Sequence, residues 1–301
     1  MQLPSTSQTF LDHLALFVDD MEAAATALER IGFLLTPLTR QMNQENGRQA
    51  PAGTANRCAM FESGYLEILT AVEPTPLSAR LKAAVGRYRG LHLVAYAAGD
   101  LEAATRRLED GGFDPDAPVR LRRSVELPDS AAGEAAFTVI RVPPEKMPEG
   151  RIQMLAHHTE ALVWQPRFLG HPNGVTGLAS ALLVVADPDE AAARFQRFAG
   201  GRLSRPTPTI RRLDHDRGAL AFASVRQVGD VLPVAPESVA APWIAAMALE
   251  TCDLDRAVAH FVAGDLRPVR SDGARALFEL PSALGGWVEL LAPGSAASWL
   301  G

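Results

Sequence analysis

The 301-residue chain predicts an α+β protein of four β-α-β-β-β units arranged as two pairs. Two observations carry that prediction. Residues 10–33, FLDHLALFVDDMEAAATALERIGF, recur as residues 90–113, GLHLVAYAAGDLEAATRRLEDGGF. A repeat of this length fixes architecture before any single residue is interpreted. The same order of apolar run, acidic turn, amphipathic segment and glycine stop begins again near Leu178, and an apolar run followed by an amphipathic segment begins near Trp243, in both cases with little identity. In the first two copies Asp20, Glu22, Ala23, Ala24, Leu28, Glu29, Gly32 and Phe33 match Asp100, Glu102, Ala103, Ala104, Leu108, Glu109, Gly112 and Phe113 without a gap. One residue must be inserted before the acidic turn to bring His13 onto His92 as well.

Each element has a local reason. Residues 11–18 form a short apolar run closed by Asp19 and Asp20, so they read as a strand. Asp20 suits a helix N-cap, and Glu22 suits the positive end of the helix dipole. Met21, Ala24, Ala25, Leu28 and Ile31 then share one helical face, and Gly32 is the expected stop. Residues 34–38 read as a strand weakened by Pro37. The polar, Asn-, Gln- and Gly-rich stretch 40–55 reads as a loop over a site. Residues 57–62 and 65–71 are strand candidates split by Ser63 and Gly64, a hairpin signal. A helix is expected within the connector 74–89.

The second unit repeats the order, with strands at 91–97, 119–127, 136–142 and 151–156 and a helix at 101–111. The third places a strand at 180–186, a helix at 189–198 and weaker strands at 220–225 and 231–234. The fourth places strands at 244–251, 275–280 and 287–291 and a helix at 254–262. The expected organisation is a first module pair over 8–160, a structured linker over 161–174 and a second, diverged pair over 175–301. Leu162, Val163, Trp164, Phe168 and Leu169 want burial, which argues against a disordered linker.

Composition narrows the function classes. A hydrophobic content of 47% with 21% charged residues is ordinary for a soluble protein with a real core. The net charge of −6 argues against a general nucleic-acid surface. No apolar run approaches a membrane span of roughly 18 residues, and the N-terminus lacks the pattern of a signal peptide. Cys58 and Cys252 form no CxxC pair and read as buried thiols in a reducing compartment. The expectation is a cytoplasmic protein whose partner is a small molecule, with no nucleic acid and no membrane. No P-loop, GxGxxG after a strand or nucleophile elbow is present.

His13 lies in the first strand of unit one and His92 at the matching place in unit two. Glu67 lies in YLEIL, the last strand of unit one, and Gln153 in RIQML, the last strand of unit two. A polar residue facing inward among Leu, Ile and Val needs a partner. Two imidazoles and one carboxylate converging from three strands would form a divalent-metal site, and Gln153 would add an amide oxygen or bind from outside the first ring of ligands. His157 and His158 point to opposite faces if both lie in a strand; with His171 they read as hydrogen-bonded structure over Trp164. Arg120, Arg122 and Arg123 read as a solvated face or a clamp for an anionic substrate.

Paired β-α-β-β-β units with His in the first strand and Glu or Gln in the last resemble the vicinal oxygen chelate superfamily, in its glyoxalase-like branch. That group includes glyoxalase I, type I extradiol dioxygenases and bleomycin-resistance proteins. The segment 157–174, HHTEALVWQPRFLGHPNG, also resembles a stretch of uncharacterised glyoxalase-like proteins. The resemblance implies that each pair forms an open, mainly antiparallel half-barrel with a divalent ion (Fe, Mn, Zn or Ni) inside it. Carried over position by position, it implies His13, Glu67, His92 and Gln153 as ligands, with Glu67 also as proton acceptor. The implied activity is a metal-dependent lyase or isomerase acting on a small oxygen-chelating substrate. Extradiol ring cleavage, on Fe(II) or Mn(II) held by His13, His92 and Glu67, is one alternative. A metal-free binding protein of the bleomycin-resistance kind is the other. Units three and four place Ser180 or Ala181, and Ala245 or Ala246, where histidines belong, and Glu289 is their lone carboxylate. The second pair is therefore expected to be a structural or dimerising half, with a homodimer among the expectations.

Overall fold

A computed structural model describes residues 3–45, 48–127, 132–235 and 241–301. The first unit runs β1 (Thr9–Val18), α1 (Met21–Arg30), β2 (Thr39–Glu45), β3 (Arg48–Met60) and β4 (Tyr65–Ala71), and α2 (Pro76–Arg87) leads to the second. That unit runs β5 (Gly90–Ala98), α3 (Leu101–Asp110), β6 (Val119–Glu126), β7 (Ala132–Arg141) and β8 (Arg151–His157). After the short α4 (Glu160–Val163) come β9 (Val175–Val185), α5 (Pro188–Ala199), β10 (Arg202–Ser204), β11 (Ile210–Asp214) and β12 (Ala219–Ser224). The last unit runs β13 (Trp243–Thr251), α6 (Leu254–Ala263), β14 (Arg270–Asp272), β15 (Arg275–Glu279) and β16 (Trp287–Leu291).

The α+β class and the four-unit order are as the sequence predicts. In every unit the last strand lies parallel to the first: β4 on β1, β8 on β5, β12 on β9 and β16 on β13. The remaining ladders within each unit are antiparallel. Antiparallel seams β1–β5 and β9–β13 join the units of each half. The bridge from Ile244 to Leu91 joins the halves into a single open sheet, and isolated bridges from Phe10 to Arg217 and from Ser63 to Gly177 also cross between them.

An aspartate caps the long helix of each unit. Asp20 accepts from the backbone N–H of Glu22 and Ala23, Asp100 from Ala103, Asp187 from Asp189 and Glu190, and Asp253 from Arg256. Each satisfies donors that the first helical turn leaves without partners. Gly32 stops α1 at φ +87°, where a Cβ would be strained and would press on Asn173 and His260. The helices bury Ala24, Leu28, Ala104, Leu108, Phe195, Phe198 and Phe261 against one face of the sheet, in the largest core. The other face is concave and carries a separate cluster in each half.

Three local expectations are corrected. Residues 34–38 form no strand; the Thr36 N–H instead donates to the Cys58 carbonyl, and the Thr36 hydroxyl accepts the Cys58 N–H. The polar stretch 40–55 is largely the β2–β3 ladder, because part of its polarity lines a cavity. In the third unit residues 231–234 are no strand, while β10 and β11, short and arginine-bearing, carry no apolar alternation to announce them.

Candidate functional site

The site is built on the β1–β5 seam. The ladder skips one residue on each strand: Asp12 on β1, between Leu11 and His13, and His92 on β5, between Leu91 and Leu93. Such β-bulges re-aim side chains and are frequent beside active sites. The spacing that carries Asp20 onto Asp100 also carries Asp12 onto His92 and His13 onto Leu93. Strand registers agree, since Ala15 pairs with Glu67 as Ala95 pairs with Gln153, and His13 with Tyr65 as Leu93 with Arg151. The inserted residue that would align the two histidines does not exist in the fold.

His92 is therefore corrected as a ligand. Its ring stacks on Tyr88 with centroids 4.0 Å apart, and its Nε2 bonds the Tyr88 carbonyl at 2.9 Å. Burial lowers its pKa to about 4, so it stays neutral and structural. Leu93 stands in its place in the cavity wall. Among the described residues no three His, Cys, Asp or Glu side chains form a ready-made ion site.

His13, Glu67 and Gln153 do line one cavity, on the concave face of the first half. His13 Nδ1 lies 2.8 Å from Asp12 Oδ2. The carboxylate accepts there, which assigns the ring hydrogen to Nδ1 and leaves a lone pair on Nε2. That lone pair faces Glu67 Oε2 at 3.8 Å. The other oxygen, Glu67 Oε1, is held by Asn56 Nδ2 at 2.5 Å and Gln41 Nε2 at 3.2 Å. Gln41 is in turn fixed by the Thr54 hydroxyl at 2.7 Å. Two acceptor atoms thus lie near one another. Ligand bonds to an ion such as zinc are about 2.0–2.2 Å, so a cation between the two atoms suits this separation. The Asp12–His13 bond is the usual support for a metal-bound imidazole. His13 and Glu67 are thus residues that could hold a divalent ion, with Gln153 in the same cavity wall and Leu93 offering no ligand.

Sequence reasoning missed several groups. His157, at the end of β8, points inward and places Nε2 3.2 Å from Asp12 Oδ2. Its neighbour His158 points the other way, to Thr138. Burial alone would raise the Asp12 carboxyl, but the imidazoles of His157 and His13 hold it well below the usual carboxylate range. His157 Nδ1 and Asn56 Oδ1 are buried without hydrogen-bond partners. Trp164 packs edge-on against His157 and Tyr65. The signal for Asp12 was present as a charged residue inside an apolar strand; the bulge that turns it beside His13 was not. His171 is structural: Nδ1 accepts the Leu34 N–H at 2.9 Å and Nε2 donates to the Met60 carbonyl at 2.8 Å. On strand β6 Arg120 and Arg122 are exposed and Arg123 is half-buried; Arg122, paired with Glu134, and Arg123 both border the cavity.

The second half keeps the registers and changes the chemistry. Ser180 stands where His13 does, Ala246 where Leu93 does, and Glu289 where Gln153 does.

The family model of the glyoxalase-like domain matches residues 11–199. The chain belongs to the glyoxalase-like family. Its fold is shared with solved structures of low sequence identity. A hypothetical protein from Staphylococcus aureus aligns with a TM-score of 0.62 at 8% identity, over 94% of this chain and 99% of that one. The Mn(II)-bound glyoxalase from Novosphingobium aromaticivorans gives 0.58 at 10%, over 98% and 85%. A mutant 4-hydroxymandelate synthase from Streptomyces coelicolor gives 0.56 at 11%, over 96% and 94%. No curated protein matches the chain. No helix among the described residues is long and apolar enough to cross a membrane.

Proposed function

We propose that the first-half cavity is the active site of a metal-dependent lyase or isomerase acting on a small oxygen-bearing substrate. The observation that carries this reading is the pair of acceptor atoms, His13 Nε2 and Glu67 Oε2, facing each other at 3.8 Å. His13, Glu67 and Gln153 would hold the ion; bound there, it supplies Lewis-acid polarisation of a substrate oxygen. Asp12 fixes the His13 tautomer, and Asn56 and Gln41 orient Glu67. Buried in the cavity wall, His157 Nδ1 has no partner, and its ring is positioned through Nε2. This reading gives it the proton-accepting role that the sequence assigns to Glu67. Apolar walls at Leu93, Leu121, Phe137, Val139 and Leu155 would exclude water from the bound substrate.

The extradiol alternative needs two imidazoles and a carboxylate on one iron, and His92 lies outside the cluster. A specific observation favours a different second reading, a metal-free binding pocket. Leu93 leaves the fourth position apolar, and a protonated His13 would lie between Asp12 and Glu67. Metal content separates the two. The enzyme reading expects about one Mn(II) per chain by electron paramagnetic resonance, lost in His13→Ala and Glu67→Gln and retained in His92→Ala. Equal, substoichiometric metal in wild type and His13→Ala would leave the binding reading in its place.

A further inference from the structure

The cavity is unusual in its charge. Arg123 of β6, Arg141 of β7 and Arg151 of β8 all line it. Among the described residues none of the three makes a salt bridge. The Nε atoms of Arg123 and Arg141 are buried without hydrogen-bond partners. The Arg151 guanidinium lies over the Phe17 ring at 5.2 Å. Arg141, of like charge, is its neighbour. Arg123 lies against the Cys58 thiol and over the Phe137 ring, while Arg141 and Arg151 are neighbours of like charge, and withdrawing such guanidiniums from water is costly unless they gain a partner. The carboxylates at hand do not supply one. Glu67 has Oε1 held by Asn56 and Gln41 and Oε2 turned to His13, Asp12 is enclosed by two imidazoles, and Asp116, whose field reaches Arg141, is exposed.

The register gives this charge a direction. Glu67, Ala15, Leu93 and Arg151 form one row across β4, β1, β5 and β8. At about 4.8 Å per strand, the row spans roughly 14 Å at the backbone. Along this row Glu67 and Arg151 are thus separated by the length of a small molecule, with Gln153 on the Arg151 side. Resting on the active-site reading above, we infer that the substrate of this cavity carries an oxoanion, bound by Arg151 and Arg141 with Arg123 completing the basic wall. Its chelating oxygens lie at the His13–Glu67 end and its apolar body crosses Leu93. Guanidinium forks suit this role because they meet carboxylate or phosphate through paired hydrogen bonds.

The test compares three probes of one shape, benzoate, phenyl phosphate and benzyl alcohol, by calorimetric titration of the full-length protein as purified. The same titration is repeated on chelator-treated His13→Ala. Either anion should bind at least about tenfold tighter than the alcohol in both preparations, and the tighter anion identifies the group as carboxylate or phosphate. Arg151→Gln and Arg141→Gln should each collapse that ratio toward one, while Arg120→Gln on the solvent face keeps it. The ratio is internal to each variant, so a general loss of folding, which removes all binding, does not imitate the result. If Arg151→Gln does not fold, Arg141→Gln decides by the same ratio. A missing preference for the anions, or one that survives both cavity substitutions, overturns the inference. A preference lost only in chelator-treated His13→Ala also overturns it, because the ion and not the arginines would then hold the anion. Failure of metal binding alone leaves the anion ratio intact and counts against the active-site reading only.

Discussion

The two halves of the sheet are one architecture with opposite interiors. In the first half, one face holds His13, Glu67, Gln153 and four arginines around a cavity. In the second, the same registers hold Ser180, Ala221, Glu289 and Trp287, and the space is filled by the chain's own C-terminus. Trp299, 1% exposed, donates from its indole to the Ser180 hydroxyl at 3.1 Å, and the Ser298 N–H donates to Glu289 at 2.7 Å. Burial raises the Glu289 pKa. The polar groups at the site registers of the second half thus have partners from within the chain. Those of the first half still have buried atoms in want of one. A duplicated fold becomes a site or a core according to whether the chain supplies its own filling.

The largest test of that comparison is Trp299→Ala. Removing a buried tryptophan should destabilise the protein by about 3–5 kcal/mol, read as a shift of the denaturant midpoint, with Mn(II) binding in the first half unchanged. Loss of ion binding along with stability would show that the two interiors are coupled. Next in size, Asp12→Asn should weaken Mn(II) binding by about 10–100-fold, the usual cost of removing the support of a ligating imidazole. An unchanged affinity would dissociate the Asp12–His13 pair from the site. Leu93→His sharpens the symmetry argument from the other side. It restores an imidazole at the register of His13, so it should tighten Mn(II) binding by about tenfold or more, whereas His92→Ala should leave affinity alone. The reverse result would return His92 to the site.

Acid provides a fourth measurement. Burial lowers His92 and His171 to about 4, against an unfolded value of about 6.5. Between those values the unfolded chain binds more protons, so stability should be full above about pH 6.5 and fall as the pH drops toward 4. His171→Gln should show a shallower fall over the same window; an identical slope would mean that His171 is not buried neutral. The smallest effect concerns the shared frame. Asp20→Ala and Asp187→Ala should each cost about 1 kcal/mol by chemical denaturation, and by similar amounts, because the same cap serves both halves. A large disparity would show that one half carries the folding stability.

The repeat, the helices with their aspartate caps and the order of strands were legible because they rest on local spacing. His13, Glu67 and Gln153 were legible because a polar residue in an apolar strand advertises itself. His92 misled for an instructive reason. It lies one residue from the true equivalent of His13, and a strand slipped by one residue turns every side chain to the other face. The polar stretch 40–55 misled because residues such as Gln41, which lines the cavity, and Thr54, which holds Gln41, have the composition of a loop.

By itself the sequence determined the unit, its duplication and the half of the molecule where ionisable groups gather, since these follow from periodicity and residue type along the chain. Only the tertiary structure decided which of those groups meet. The twin bulges at Asp12 and His92 fix which side chains enter the cavity, and the C-terminal turn decides which half has a cavity. Both depend on contacts between residues distant in the chain, where pairing geometry and packing, not local propensity, set the lower free energy.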